Sequence, residues 1–441
     1  MNEFNEKLRV HFIGVGGAGT SLLCRFLLSK NFYVSGSDVC KSKVVEDLIS
    51  LGLEFNNNHD ASVIDNVDVV VYGNAIKEDN VELSRARFLS KAIYKRSELL
   101  DLIIKSHKKS IGVSGTHGKT TSTSMLTKIL IDNGVNLTSM IGGESLNTKS
   151  FTYSGKNDVI VSEVCEYEKS IRDISVLYPV CLNVDNDHLD SYGNIFNLKE
   201  EFYNFLSRGK IKFINADDYY LKKYKGKRTV TFGIKNDCDY RAVNLTSNNG
   251  KYSFYLKVKG SIKCKVILQV YGIHNVYNAL SAIAVANKVF GIDFDNISRS
   301  LLGFIGVKRR FETIKTNSNK NVICDYAHHP TEIVETLRVM KELFGNDYAV
   351  VFQPHTYSRT KLLFDDFVCA FENEETIIFK EYPARERYDK TASAYRLCRC
   401  IKNSKYVADV NRLVDYIKKL KVNNVIVLGA GDLYDKIKNA D

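Results

Sequence analysis

Residues that break or link elements are scarce in this chain. Only four prolines, Pro179, Pro330, Pro354 and Pro383, occur in 441 residues. No Pro/Gly/Ser-rich or low-complexity tract is present, so domain boundaries have to be read from recurring strand–turn–helix starts rather than from linkers. No CxxC pair occurs among the ten cysteines, and Cys398 with Cys400 alone are too few ligands for a zinc site. Several cysteines (Cys24, Cys181, Cys324, Cys369) sit among apolar neighbours, which reads as reduced core thiols of a cytoplasmic protein. The opening segment carries Glu3 and Glu6 and lacks an apolar core, so a secretory signal is not expected. The longest uncharged stretch, Val266 to Asn287, contains Gln269, His274, Asn275, Asn278 and Asn287, all costly in hydrocarbon, and no membrane span is expected. There is no uninterrupted run of five or six basic residues that would form a nucleic-acid arm, and no Gly-x-Ser-x-Gly elbow or Cys–His signature for covalent hydrolysis.

What is present is the composition of a globular protein, with 44% hydrophobic and 26% charged residues. The length suggests roughly three domains. Lys and Arg total 62 against 51 Asp and Glu, a net charge of +11 that suits anionic ligands. Three strand–turn–helix starts organise the chain into α/β blocks, expected over 1–106, 107–306 and 307–441. The first runs from Val10–Ile13 through GVGGAG into a helix over Ser21–Leu28, with short strands at Tyr33–Val34 and Val67–Tyr72. The second runs from Lys109–Ser114 through GTHGKTT into a helix over Ser122–Ile131. Strands follow at Val159–Val161 and Val176–Leu182, then a β-rich stretch over Thr229–Val270 and a helix over Asn275–Val289. The third block has strands at Val322–Asp325, Ala349–Phe352, Thr376–Phe379 and Val425–Leu428, the last leading into GAGD.

Two glycine loops carry the chemistry. Gly14, Gly16 and Gly19 form GxGxxG between a strand and a helix, and Asp38 follows Gly19 by 19 residues at the end of the next strand. Such glycines let backbone approach a diphosphate at a helix N-terminus, while Asp38 would accept a hydrogen bond from a ribose or base. The alternative is a tight turn without a ligand, and the pattern does not separate a dinucleotide from another nucleoside diphosphate. In GTHGKTT, Gly115 to Thr121, backbone N–H groups would cradle phosphates, Lys119 would reach the β- and γ-phosphates, and Thr120 would ligate Mg²⁺. The strict GxxxxGK spacing would place glycine at 113, where Val113 stands, so the loop is a variant. Its metal needs hard oxygen ligands, and two groups lie beyond strand ends: Glu163, Glu166 and Glu168, and Asp185, Asp187, His188 and Asp190. His188 as a ligand would admit Mn²⁺ as well as Mg²⁺.

Farther along, Asn275 and Asn278 lie three apart on one helical face beside His274, either contacting a nucleotide or merely capping the helix. Lys308, Arg309 and Arg310 stand at a domain junction, where an Arg fork suits a γ-phosphate and an exposed turn is the plain alternative. Asp325, His328, His329 and Glu332 follow one strand and His355 and Arg359 another, which suggests a second substrate pocket. Two polyanion sites about 100 residues apart argue against a simple dehydrogenase: one nucleotide is a handle on a substrate and the other an energy source.

Read in order, HFIGVGGAGTS, VSGSD, NAIKEDN, GTHGKTT, SEVCEYE, NVDNDHLD, HNVYNALSAIAVA, GVKRRFE, DYAHHPTE, FQPHTYSRT, LFDDF and GAGDL resemble the Mur ligase family, collinearly from residue 11 to 433. The resemblance implies an N-terminal Rossmann-like domain for a UDP-sugar, a central P-loop ATPase-like domain with a mixed sheet, and a C-terminal Rossmann-like domain for an amino acid. It points to the branch that joins L-alanine to UDP-N-acetylmuramate with ATP and Mg²⁺ (or Mn²⁺), in peptidoglycan precursor synthesis, by a monomer or homodimer in the cytoplasm. Alternatives are a relative using another amino acid or murein tripeptide, and a non-catalytic homologue. By motif, Gly115, Thr116, His117, Gly118, Lys119, Thr120, Thr121, His274, Asn275, Asn278 and Arg310 would bind ATP. Thr120, Glu166 and His188 would hold metal. Lys119, Glu166, His188, Arg310 and Asp325 would be catalytic, and Tyr326, His328, His355 and Arg359 would take the amino acid. Gly16, Gly17, Ala18, Gly19, Asp38 and His59 would form the UDP-sugar site. The chain departs from the family pattern at Cys165, where Asp is common, at Tyr271 and Ile273, where Pro and Arg are usual, and at Thr356, where many members have Arg.

Overall fold

The computed structural model describes residues 6–155, 158–314, 319–384 and 386–440. Three sheets follow one another along the chain. The first is fully parallel, in the spatial order Glu54–Asn57, Tyr33–Asp38, Arg9–Ile13, Val69–Tyr72 and Ala92–Lys95. Strand order reverses direction at Arg9–Ile13, so the crevice beyond Ile13 is the switch point where such sheets take ligands. Helix α1, Ala18–Ser29, starts there and buries Leu23, Cys24, Phe26 and Leu27 against the sheet.

The second sheet has ten strands. Lys109–Ser114 lies between Tyr178–Cys181 and Val159–Glu163, parallel to both, while Tyr240–Asn248, Lys251–Val258 and Ser261–Tyr271 form an antiparallel edge. The β-rich stretch expected over 229–270 is this edge and its neighbour Thr229–Gly233. Helix α2, Lys119–Asp132, follows the phosphate loop, and helix α3, His274–Phe290, packs against it. The alanines at 279, 282, 284 and 286 in α3 are buried. α3 ends at Gly291 in the left-handed conformation, φ 69°, as a glycine after a helix allows.

The third sheet orders Glu312–Ile314, Asn321–Asp325, Asn424–Leu428, Tyr348–Phe352, Thr376–Phe379 and Ser404–Val407, parallel except for its first strand. Helix α4, Pro330–Phe344, leaves the second of these strands, with Pro330 in the first turn where its missing N–H costs nothing. Rossmann-like units flanking a mixed central sheet are thus the observed architecture. Three central strands went unread: Leu137–Ser145, whose sequence LTSMIGGES has too many polar and glycine positions to alternate, and Ser150–Tyr153 and Lys212–Asn215, only four residues long each. No helix among the described residues is long and apolar enough to cross a membrane.

Leu280 is fully buried in the central core, on the helix that backs the phosphate loop. Leu280→Ala is expected to cost about 2–5 kcal/mol, as buried leucine truncations do, read as a lower urea midpoint for the unfolding step of the central unit.

Candidate active site

The phosphate loop turns on two glycines that adopt positive φ, Gly115 at 130° and Gly118 at 84°. A side chain at Gly118 would collide with the Asn278 amide, so this glycine is required by backbone angle and by space together. Asn278 also accepts from the Ser122 hydroxyl (3.1 Å) and donates to Asn275 (2.9 Å), which in turn donates to the Tyr271 carbonyl (2.7 Å). The two asparagines are therefore a buried brace between α3 and the loop, with the exposed His274 beside them. Asn183, which sequence reasoning passed over, holds the other side of the loop. Its carbonyls accept the Thr116 and His117 N–H groups, and its amide donates back to the His117 carbonyl. Beyond the loop, the N–H groups of Lys119, Thr120 and Thr121 in the first turn of α2 have no intrahelical acceptor, as at any helix start.

Lys119 curls back over the loop. Its ammonium donates to the carbonyls of Gly115 (2.5 Å) and Thr116 (3.1 Å) and to both Glu166 oxygens (3.0 Å). Burial works against its charge, but the Glu166 carboxylate outweighs it and lifts the Lys119 pKa above the ordinary lysine value. Glu166 is 1% exposed, with His188 Nε2 at 4.0 Å from its carboxylate. Thr120 instead faces Glu163, its hydroxyl 3.2 Å from Oε2. The expected metal set groups Thr120 with Glu166 and His188; the carboxylate oxygen next to the Thr120 hydroxyl is that of Glu163. Glu163 belongs to the acidic trio read from the sequence and is the last residue of the strand Val159–Glu163. Burial pushes the Glu163 carboxyl upward, and Lys119 and Arg310 pull against that shift. Asp190's side chain lies outside the described residues.

Arg310 sits in a linker bent by two non-glycine residues at positive φ, Arg309 (60°) and Phe311 (53°). Asp325 fixes that bend by accepting the Phe311 N–H (2.7 Å) and the Ala327 N–H (2.8 Å). Burial raises the Asp325 carboxyl to about 6, with Arg310 opposing. Tyr326 lies under both guanidinium groups, 4.9 Å from Arg309 and 5.0 Å from Arg310. Tyr271, one of the unusual residues, packs its ring on Phe311 at 4.7 Å and so covers the linker from the central side. Thr356 caps the short helix Tyr357–Leu362, accepting the Arg359 N–H.

The C-terminal pocket brings Tyr326, His328 and His355 together, with His328 5.2 Å from the Tyr326 ring and 5.8 Å from His355. His355 stacks on Tyr382 at 5.6 Å, and burial drops its pKa to about 3. Arg359, expected to take the amino acid, reaches His355 of this pocket with Nη1 at 3.3 Å and is also tied to the central unit. Its fork binds Asp187 of the central unit through Nε (3.0 Å) and Nη2 (3.1 Å), and both residues are buried. Burial opposes the Asp187 charge, but Arg359 outweighs it and holds the carboxyl far below its usual range.

A second bridge joins the same two units. His117 of the phosphate loop places Nε2 2.9 Å from Asp185 and Nδ1 3.1 Å from Glu332 at the start of α4. Both nitrogens face carboxylates, so both donate, and the ring is the cation. Burial works against that charge, yet Asp185 and Glu332 carry the His117 pKa up to about 9. Thr331 donates to Asp185 at 2.7 Å, and His329 reaches the Asn186 carbonyl at 3.0 Å.

In the N-terminal unit Asp38 is largely buried. It accepts the Gly16 N–H at 2.9 Å and the Cys40 N–H at 3.3 Å, and so braces the glycine loop. His59 is likewise tied into a network, 3.0 Å from Ser37 and 3.1 Å from the fully buried Glu82. Gly17, Ala18 and Gly19 form the exposed helix start, where Arg96 lies so close to Gly19 that a side chain there would strike its guanidinium. Arg96 also donates to Ser170 (3.0 Å), as does Asn74 (3.1 Å). Both follow strand ends facing the switch point, which was the signal for them.

The three units match three family models in order: Mur ligase family, catalytic domain, over residues 9–108; Mur ligase middle domain over 113–286; and Mur ligase, glutamate ligase domain over 309–432. The chain belongs to the Mur ligase family. It is 38% identical over 440 residues to the UDP-N-acetylmuramate–L-alanine ligase of Clostridium tetani, covering 97% of this chain and 96% of that protein. It is also 38% identical to the enzyme of that name from Clostridium acetobutylicum, covering 98% and 97%. The solved UDP-N-acetylmuramate-alanine ligase of Thermotoga maritima superposes with a TM-score of 0.83 at 27% identity over 98% of both chains.

The His117 bridge gives a pH signature. Because its folded pKa lies above the ordinary 6.5, its stabilising contribution is complete below about 6.5 and disappears as pH rises through about 9. Asp185 and Glu332, both held low, stay charged throughout that window. The melting temperature of the wild type should exceed that of His117→Gln at neutral pH, and the gap should close as pH passes 9.

Proposed function

We propose that this chain is an ATP-dependent ligase that joins L-alanine to the carboxylate of UDP-N-acetylmuramate through an acyl phosphate, in cytoplasmic peptidoglycan precursor synthesis. The observation that carries this reading is that the phosphate loop and the His/Tyr pocket are in contact: His117 of one meets Glu332 of the other at 3.1 Å. A nucleotide held by the loop and an amine held in the pocket are thereby brought to one place, as a two-substrate condensation requires.

The central unit (107–306) takes ATP, the N-terminal unit (1–106) the UDP-sugar, and the C-terminal unit (307–441) the amino acid. A carboxylate is a poor electrophile, so its oxygen first attacks the γ-phosphorus. ADP leaves, and the amine then displaces phosphate from the acyl carbon. On binding ATP, Lys119 exchanges its two loop carbonyls for phosphate oxygens, and the N–H groups of the first turn of α2 add donors to them. Arg310, within electrostatic reach of Glu163, supplies positive charge from the linker side. Such preorganised charge is the largest expected contribution to rate.

The donor set fits Mg²⁺. Thr120 and Glu163 offer hard oxygens at 3.2 Å from one another, and the raised Glu163 carboxyl marks a buried acid whose charge is incompletely matched. His188 beside Glu166 extends the set and admits Mn²⁺. When bound, the cation neutralises charge on the transferred phosphoryl. At the N-terminal unit, the first turn of α1 and Arg96 offer donors to the diphosphate of the UDP-sugar, while Asp38 and His59 shape that site from behind.

Phosphate release assayed with UDP-N-acetylmuramate, ATP and separate alanine, glycine, serine and tripeptide additions tests the reading: alanine should support turnover, and release indifferent to the amino acid would contradict it. Lys119→Ala should lower phosphate release at least about 100-fold while UDP-sugar binding by calorimetry stays intact.

A further inference from the structure

One carboxylate in this molecule serves two sites at once. Glu332, in the first turn of α4, sends Oε1 to Nδ1 of His117 in the phosphate loop (3.1 Å), and Oε2 lies 3.2 Å from Nδ1 of His328 in the amino-acid pocket. The same Oε2 accepts the His328 backbone N–H at 3.1 Å. The side chain of Glu332 is 15% exposed, and those of His117 and His328 are 16% and 17% exposed, so all three are largely shielded from water. We infer that Glu332 is a positioning residue that couples the nucleotide site to the amino-acid site, so that each ligand strengthens binding of the other.

The chemistry of the two histidines supports this. His328 Nδ1 faces two acceptors, Glu332 Oε2 and the Tyr326 carbonyl at 2.9 Å, so it must carry the hydrogen. With the hydrogen on Nδ1, the neutral form of the ring has its lone pair on Nε2, able to accept a hydrogen bond from the α-ammonium of an amino acid. His117 donates through both nitrogens, one of them to Glu332. A carboxylate can accept from both histidines simultaneously. A glutamine cannot: its amide has one accepting and one donating end, so one of the two rings must lose its partner or give up the proton it donates through. Anything that reorders the phosphate loop around a nucleotide moves His117, and through Glu332 it biases the tautomer and orientation of His328. The path consists of two hydrogen bonds and one rigid helical turn, short enough to act as a single element. It also crosses the boundary between the central and C-terminal units, so it is complete only when they are docked.

This rests on the ligase reading, and the test separates the two. L-Alanine binding is measured by calorimetry on the full chain with saturating UDP-N-acetylmuramate, with and without a non-hydrolysable ATP analogue, for wild type, Glu332→Gln and Glu332→Asp. In the wild type the analogue should tighten alanine binding by about 10-fold, within the usual range for coupled sites, and alanine should tighten the analogue equally. In Glu332→Gln the factor should fall to within about 2-fold of unity, with UDP-sugar affinity close to wild type and a melting temperature lowered at neutral pH by the loss of one of the two carboxylates that hold the His117 cation. Glu332→Asp keeps two acceptors on a shorter stem and should retain part of the coupling. A Glu332→Gln protein that retains the full factor would overturn the inference and leave the ligase reading standing. A wild type that binds both ligands without mutual enhancement would do the same, and one that binds neither would overturn both. Equal weakening of all three ligands in Glu332→Gln, with the factor preserved, would mark Glu332 as merely structural and overturn the coupling role.

Discussion

A buried ammonium sets the terms for the rest of the molecule. Lys119 lies in a site where an uncompensated charge would be costly, and it is satisfied by Glu166 and by carbonyls of its own loop. That arrangement requires the loop to double back, which only the left-handed glycines at 115 and 118 permit. It also requires Glu166 to be held still, and the Tyr192 hydroxyl does this by donating to the Glu166 carbonyl. The central sheet presents these groups at the C-terminal ends of adjacent parallel strands, so the loop, Glu163 and the 183–188 segment meet at one edge. In the proposed reaction the carbonyls around Lys119 are the positions that phosphate oxygens take over, which is why the charge is stored there before any substrate arrives.

The second constraint is the docking of the C-terminal unit onto that edge. Two bridges cross the boundary: His117 between Asp185 and Glu332, and Arg359 on Asp187. All the carboxylates on the central side come from one short segment, NVDNDH. The segment follows the strand Tyr178–Cys181 and also supplies Asn183 to the loop. Ligand shape in the central unit and domain position are therefore set by neighbouring residues, so a change in one is felt by the other. The charge-paired nature of both bridges also explains how polar surfaces can be buried at this boundary without unmatched groups.

Much of this was legible in the chain. The strands Lys109–Ser114 and Thr376–Phe379 and the helix His274–Phe290 announce themselves by apolar period and flanking glycines, and GTHGKTT names its chemistry. What could not be read was which polar partner each group chooses. Glu163 and Glu166 are both strand-end acids in one motif, and only the fold separates the one beside Thr120 from the one beside Lys119. Asp38 and Arg359 carried the right charge for a ligand, and each also meets a protein partner that no local pattern shows, Gly16 in one case and Asp187 in the other. Asn183 and Arg96 went unassigned for the converse reason: their partners lie 66 and 74 residues away, beyond any local pattern, as is the 215-residue link from Glu332 to His117.

Isotope transfer tests the central claim most directly. UDP-N-acetylmuramate labelled with ¹⁸O in both carboxylate oxygens is turned over with ATP and L-alanine, and the inorganic phosphate released is analysed by mass. If the carboxylate attacks the γ-phosphorus and the amine later expels phosphate from the acyl carbon, each phosphate carries one ¹⁸O and the new amide keeps the other. Phosphate released without label would mean that the carboxylate never bonds to phosphorus, and would contradict the account.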